Sequence, residues 1–324
     1  MRKESQKQGF TIVEMLTVMG IIAILIGLLV PALAQVKDYA ARVQQKAQFH
    51  SMDVALEMFK TDFGSYPDTS DNRGFSTVPP VAPLTQDPRN YGGVQKLAEA
   101  LIGWDLLGFH PRSGFRSDGQ NYFQNATFTN YALVYNTSLG IQAGLDSEAN
   151  AEENIKARKK YIEPENANAF RMQDIYNTVV GNFLPTNYAL CDVYSKGRPS
   201  GIKTGMPILY LKARLNYTFQ NYSLDTVYAD DIYNYDDVRA LVQLGTAETI
   251  PVAHELERAA TDPYTNFENM VLNTHVQQST VTAANPDGVY RPYRADSYIL
   301  VSAGKDGVYG TSDDIFNFDK GTEQ

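Results

Sequence analysis

The apolar positions of this chain change their period along its length, and each change marks an element. Between Met15 and Val36 about 22 consecutive residues carry no charge, and about 20 apolar residues are enough to cross a bilayer as a helix. From Leu33 the pattern becomes periodic. Leu33, Val36, Ala40, Val43, Ala47, Met52, Leu56, Phe59 and Phe63 recur at three- to five-residue steps, with Lys37, Asp38, Arg42, Lys46 and Lys60 largely between them. That spacing predicts an amphipathic helix with one stripe on a globular domain, ended by Gly64 and Pro67. Beyond it, Tyr66 to Pro88 reads as loop, stiffest at Pro79-Pro80. A second helix is expected from Val94 to about Leu107, with Leu97, Leu101, Ile102 and Trp104 on its apolar face. Residues 108–125 read as loop. Short helices are expected over Glu148–Lys160 and Asp236–Leu244, and short strands over Tyr131–Tyr135, Tyr188–Val193, Ile208–Leu211 and Tyr298–Val301. One long helix followed by scattered strands indicates an α+β fold.

Composition narrows the function. The net charge is −9, and removing Arg2, Lys3, Lys7 and Glu4 with the leader would take the side-chain total to −11. Such a surface argues against a phosphate-neutralising patch, so no nucleic-acid partner is expected. Cys191 is the only cysteine, which excludes an intrachain disulfide and suggests a buried free thiol. Residues 110–235 are rich in Tyr and Asn, read as tyrosines that bury a ring and leave the hydroxyl wet. The pairs Asp230-Asp231 and Asp236-Asp237 could hold a cation but read as solvated loop. His50, His110, His254 and His275 are scattered. No nucleophile elbow, phosphate loop or CxxC is present, so nothing argues for catalysis.

The apolar run begins at Phe10, after a leader ending in Gly9, and is interrupted by one acid, Glu14. An ionised carboxylate in hydrocarbon costs several kcal/mol unless it finds a partner. No basic residue follows until Lys37, so the segment reads as a helix built to meet other helices. Arg2, Lys3 and Lys7 place the N-terminus in the cytoplasm and the rest across the membrane. Pro31-Ala-Leu-Ala34 could imitate a signal-peptidase site, which leaves an ordinary signal peptide or plain anchor as the alternative. Gly20 and Gly27 share a helical face and fit either close helix approach or ordinary membrane glycine. Pro31 is expected to kink the helix or loosen a turn.

Gly9, Phe10 and Glu14 together resemble the class III signal peptide of type IV pilins and type II secretion pseudopilins. The resemblance implies cleavage by a prepilin peptidase between Gly9 and Phe10 and methylation of the new terminus. It also implies pairing of Glu14 with the Phe10 amine of a neighbouring subunit, with Pro31 inside the assembly helix.

A second motif stands near the C-terminus, Ser302-Ala-Gly304-Lys-Asp306-Gly307 followed by Gly310-Thr311-Ser-Asp313-Asp314-Ile315. Three carboxylates separated by glycines suit calcium, which takes six to eight hard oxygens in a flexible cage. The order is not that of an EF-hand, and composition alone would give a polar turn. The stretch is similar to the C-terminal calcium loop of major pseudopilins. That resemblance implies Asp306, Asp313 and Asp314 as acidic ligands, with the Ala303 carbonyl and an oxygen of Thr311 completing the set.

The organisation expected is a leader over 1–9, a long helix over 10–64 that is transmembrane at about 12–34, and an extracytoplasmic domain over 65–324 with a calcium loop at 302–315. The fold implied is pilin-like, the long helix packed on a small antiparallel sheet with a large loop-rich insertion. The resemblance implies a single-pass inner-membrane protein with a periplasmic domain, polymerised into a filament for protein export. Its partners would be copies of itself, prepilin peptidase, the inner-membrane assembly platform and minor pseudopilins. The alternatives are a type IV pilin for adhesion, motility or DNA uptake, and a membrane-anchored binding module or hydrolase whose unmatched middle does the work.

Overall fold

The computed structural model describes residues 11–70, 90–117, 119–122, 131–135, 155–177, 181–217, 220, 231–257, 263–279 and 289–320. It divides into two compact units, Met1–Gln44 and Gln45–Gln324. Helix α1 covers Ile12–Phe63 without interruption, Pro31 included. Proline has no N–H to offer the carbonyl four residues back, at Gly27, yet the helix continues through it. In the first unit the apolar side chains of α1 are exposed, from Ile12 through Val43. This is the one helix among the described residues long and apolar enough to cross a membrane.

In the second unit α1 buries Gln45, Gln48, Phe49, Met52, Ala55, Leu56 and Phe59. The expected stripe is right at Met52, Leu56 and Phe59 and wrong on either side of them: Leu33 and Val43 are each 50% exposed and Phe63 38%. Two glutamines take the place of apolar residues because they serve backbone. Gln48 Nε2 donates to the Cys191 carbonyl (2.9 Å), and Gln45 Oε1 accepts from Val193 N (2.9 Å). The helix ends where Gly64 N donates to the Lys60 carbonyl (2.7 Å).

Helix α2 spans Gly93–Ile102 and ends about five residues earlier than expected. It stops because Gly103 has φ +85° and lies so close to Gly108 that a Cβ there would fall 2.2 Å from the Gly108 carbonyl. All ten residues of α2 are buried. Lys96 Nζ donates to the Ser70 carbonyl (2.6 Å). The Glu99 carboxylate accepts from the hydroxyls of Tyr91, Ser113 and Tyr135. Trp104 lies beyond the helix, its Nε1 donating to the Ser117 carbonyl (3.0 Å).

The remaining elements are β1 (Gln120–Tyr122), β2 (Tyr131–Leu133), β3 (Ala169–Arg171), α3 (Met172–Tyr176), β4 (Tyr188–Leu190), β5 (Lys196–Gly197) and β6 (Lys203–Thr204). After them come β7 (Leu209–Lys212), α4 (Asp236–Val242), a 3₁₀ turn (Glu255–Glu257), α5 (Pro263–Val271), β8 (Leu272–Ser279), β9 (Val289–Pro292), β10 (Tyr298–Ser302) and β11 (Ile315–Phe316). Strands β11, β10 and β7 form an antiparallel sheet in that order, with Leu300 opposite Tyr210 and Ser302 opposite Ile315. The other pairs, β1–β2, β3–β4, β5–β6 and β8–β9, are two-stranded and antiparallel. All four expected strands are present. Residues 148–154 and Pro79-Pro80 lie outside the described residues. Of the expected Glu148–Lys160 helix, the described residues Ile155 and Lys156 are helical, a turn follows at Ala157, and Lys159 is instead bridged antiparallel to Phe109. Sequence patterning missed α3, α5, β3, β5, β6, β8, β9 and β11, and read as loop the stretch 108–125 in which β1 lies.

Side chains alternate across a strand, and in β7 and β10 both faces are apolar. Tyr210, Tyr298 and Leu300 join the core formed by Phe49, Met52 and Leu56 of α1 with Leu97 and Leu101 of α2. Leu209, Leu211, Ile299 and Val301 face a second core containing Met172, Tyr235, Leu241, Leu256 and Phe267. The central sheet is therefore covered on both sides, and the long middle of the chain supplies the second cover. The tyrosines are drier than expected. Tyr210, Tyr233 and Tyr298 are buried, with hydroxyls donated to the Pro67 carbonyl, the Arg294 carbonyl and Asp53. Cys191 is a buried free thiol.

This packing makes two outcomes measurable. Leu56 is fully buried, so Leu56→Ala should cost about 2–5 kcal/mol. Val43→Ala should be near neutral in denaturant unfolding of the detergent-solubilised chain; equal costs would contradict the assigned stripe. His110 is pushed down to about 4 by burial, with Arg158 and Arg112 adding to the effect. Its Nδ1 accepts from Arg112 N (3.0 Å), so the ring is held neutral. An unfolded histidine titrates near 6.5. Between about 6.5 and 4 the unfolded chain binds the extra proton, so this contribution is present above pH 6.5 and lost as pH falls toward 4. His110→Asn should reduce the loss of urea resistance between pH 7 and pH 5; an unchanged loss would refute this.

Candidate functional site

Two places in the chain carry candidate function. At the start of α1, Thr11 N and Thr11 Oγ1 both donate to Glu14 Oε2 (2.8 Å each), and Glu14 N donates back to Thr11 Oγ1 (3.3 Å). This is a reciprocal capping box, Thr at the cap and Glu three residues on. It satisfies N–H groups that a helix start leaves open. In the single chain Glu14 is therefore not stranded, as the hydropathy pattern suggested; its first partner is its own helix end. Gly9 and Phe10 lie outside the described residues. Gly20 and Gly27 face open space, with no atom within 4 Å of an added Cβ.

The second place is the loop 303–314, which connects β10 to β11 and is closed by the Ser302–Ile315 pair. Its inward anchor is Ala303, fully buried. Gly304 turns the chain with φ +64°, and a Cβ there would sit 2.4 Å from the Asp313 carbonyl oxygen. The carboxylates hold the loop through its amides. Asp313 Oδ2 accepts from Asp306 N (3.0 Å), Asp306 Oδ1 from Val308 N (2.7 Å), and Asp314 Oδ2 from Gly310 N (2.8 Å). Thr311 Oγ1 donates to Asp313 Oδ1 (2.5 Å).

Three acids so close disturb one another. Burial, and then the charges of Asp313 and Asp306, push Asp314 up to about 8 against the Gly310 amide and Lys320. Burial and the Asp313 charge also raise Asp306. Asp313 is held below the usual carboxylate range: burial opposes this, but hydrogen bonds from Thr311 and the Asp306 amide outweigh it. Asp314 Oδ1 is buried with no hydrogen-bond partner. Among the described residues no three carboxylate, imidazole or thiolate side chains converge into a ready-made metal cage. In donor chemistry the loop fits a hard cation: every candidate ligand is oxygen, and one carboxylate oxygen is left unpaired inside.

The structure adds supports that no sequence pattern marked. Asp192 is fully buried beside Cys191, and its Oδ2 accepts from Ser302 Oγ (2.9 Å). Its Oδ1 accepts from Met206 N and Tyr194 N (3.1 Å each). Lys196 Nζ donates to the Asp306 carbonyl (2.7 Å). His254, fully buried, accepts from Tyr309 N at Nδ1 (3.1 Å) and so braces the loop. Asp192 and His254 are single polar residues beside apolar ones and Lys196 lies in a polar stretch, so none of them gives a periodic signal. Asp237, read as solvated, is buried and takes Thr69 Oγ1 (2.6 Å) and Arg214 Nη2 (3.0 Å); Asp230 lies outside the described residues.

Gly304→Ala should destabilise the chain by about 1–3 kcal/mol or more, because a positive φ and a backbone clash both oppose it. Gly197→Ala, with nothing within 4 Å, should be close to neutral in the same thermal melt. Equal effects would show that the turn at Gly304 is not under this constraint.

Comparison with known proteins joins these two features. Residues 5–30 match the family model described as the prokaryotic N-terminal methylation motif. The type II secretion system core protein G of Pectobacterium carotovorum subsp. carotovorum is 33% identical over 110 residues, which cover 33% of this chain and 69% of that protein. The protein of the same name from Klebsiella michiganensis is 32% identical over 126 residues, covering 37% of this chain and 88% of its own length. That from Escherichia coli (strain K12) is 30% identical over 114 residues, covering 34% and 77%. No solved structure matches the chain. A methylation motif opening an apolar helix, on a chain that covers most of each of these relatives, shows that this protein belongs to the family of type II secretion system core protein G, the pseudopilins.

Proposed function

We propose that this chain is a pseudopilin subunit, cut by prepilin peptidase between Gly9 and Phe10 and polymerised through α1 into a short periplasmic filament that drives protein export. One observation carries the reading: the methylation motif over residues 5–30 leads directly into a helix whose apolar side chains are uncovered. Such a helix is stable only in lipid or against other apolar helices. Arg2, Lys3 and Lys7 favour a cytoplasmic N-terminus in the inner membrane, with the domain from residue 65 in the periplasm. The relatives favour this reading over a type IV pilin. Its partners would be further copies, the inner-membrane assembly platform and minor pseudopilins.

In this reading Glu14 exchanges partners. Before assembly Thr11 satisfies it; in the filament it would pair with the Phe10 amine of a neighbour. A buried charge left unpaired costs about 3–5 kcal/mol, so a wrong register is penalised. Pro31 leaves the Gly27 carbonyl to be accommodated among packed helices. We further propose that Asp306, Asp313, Asp314, the Ala303 carbonyl and Thr311 hold calcium. The bound cation would supply the positive charge that the three acids lack and fix the loop. A ligand bound only to the folded chain adds about 2.7 kcal/mol at a hundredfold excess over Kd.

Glu14→Ala should still be processed but should form several-fold fewer fibres; normal fibre yield would sink the exchange. EDTA should lower the melting temperature by about 5–10 °C, and Asp313→Ala should erase that response. An unchanged melt would mean the loop is only a turn.

A further inference from the structure

The acidic loop is tied to α1 at both of its ends. Asp53, half-buried on α1, accepts at Oδ1 from the Tyr298 hydroxyl (2.6 Å) and from Asn317 Nδ2 (3.1 Å). Tyr298 opens β10, the strand that enters the loop. Asn317 follows β11, the strand that leaves it, and locks onto β10 through Leu300: its Oδ1 accepts from Leu300 N (3.0 Å) and its own N donates to the Leu300 carbonyl (3.3 Å). A second connection runs through the segment 191–193. Gln48 and Gln45 of α1 hold Cys191 O and Val193 N. Asp192, between them, takes Ser302 Oγ, which in turn accepts from Gly304 N (3.2 Å). Three polar residues of α1 thus fix the strands from which the loop is hung.

We propose that Asp53 is a positioning residue for the acidic loop, and that calcium bound there stiffens α1 around residues 49–56; this rests on the calcium reading above. Ordering a loop between two strands costs conformational entropy, and contacts that hold the strand ends in place lower that cost. Whatever stabilises the closed loop raises cation affinity, and by linkage the cation stabilises those same contacts by the same factor. Asp53 touches Tyr298 on the strand that enters the loop and Asn317 just past the strand that leaves it. Occupancy of the loop is therefore felt on the helix that the family uses for assembly, some 250 residues earlier in the chain.

The test uses the full chain in detergent with calcium chloride as the probe, read by hydrogen–deuterium exchange and by titration calorimetry. In the wild type, calcium should slow exchange both in the loop 303–314 and in residues 49–56. Asp53→Ala should weaken calcium binding about tenfold, within the usual range of coupling between sites, and cancel the slowing in the helix while saturating calcium still protects the loop. Tyr298→Phe, which keeps the ring and removes one of the two ties, should give an intermediate result and decides the matter if Asp53→Ala does not fold. Protection of 303–314 with no change at 49–56 in the wild type would overturn the coupling and leave the calcium site standing. Absence of calcium protection at 303–314 would remove the site, and the coupling with it.

Discussion

Everything in this protein is arranged around the double demand placed on α1. Its first part, Ile12 to Val43, leaves large apolar side chains uncovered, a state water does not tolerate over such a length. Its second part must present a stripe to a folded domain. The two demands are met by a change in patterning within one helix. Apolar residues run all round up to Val36, and from Gln45 a buried stripe is flanked by charge. The Thr11–Glu14 box secures the beginning of this helix. The same carboxylate would offer a neighbouring subunit its ionic partner.

The domain answers a different constraint. Strand β10 is buried along all five residues, so it needs cover on both faces. Helices α1 and α2 provide one layer, and α3, α4 and α5 with the turn at Glu255–Glu257 provide residues for the other. This accounts physically for part of the length by which the chain exceeds its relatives. The extra layer brings buried tyrosines, among them Tyr233 and Tyr235, whose hydroxyls end on the Arg294 carbonyl and the Glu257 carboxylate, while the Tyr176 hydroxyl is buried with no hydrogen-bond partner among the described residues. It also brings His254 against Tyr309, and with it a brace for the acidic loop.

Much of this was legible in the sequence, for identifiable reasons. Gly9 and Glu14 stand at a spacing that a plain membrane anchor has no use for, because an acid inside an apolar run costs stability unless another chain meets it. The four strands carry β-branched or aromatic runs long enough to show, and the end of α1 was marked by Gly64. What was not legible involves residues acting against their type. Gln45 and Gln48 are buried because they serve the backbone of 191–193, and no periodicity announces that. Lys96 and Glu99 lie in a fully buried helix because Ser70, Tyr91, Ser113 and Tyr135 satisfy them from distant parts of the chain. Helix α2 stops at Gly103 because of a close approach to Gly108, a tertiary contact. In the acidic loop the three carboxylates and the glycines between them were visible as a group, but their supports, Asp192, Lys196 and His254, come from elsewhere in the chain.

The proposed assembly through α1 has the mature chain begin at Phe10. Intact mass spectrometry of the protein isolated from its native membrane measures this in one experiment. The expected mass is that of residues 10–324 carrying one added methyl group on Phe10. A mass that retains Met1–Gly9, or one matching cleavage after Ala34, would contradict it and leave an ordinary anchored or secreted protein.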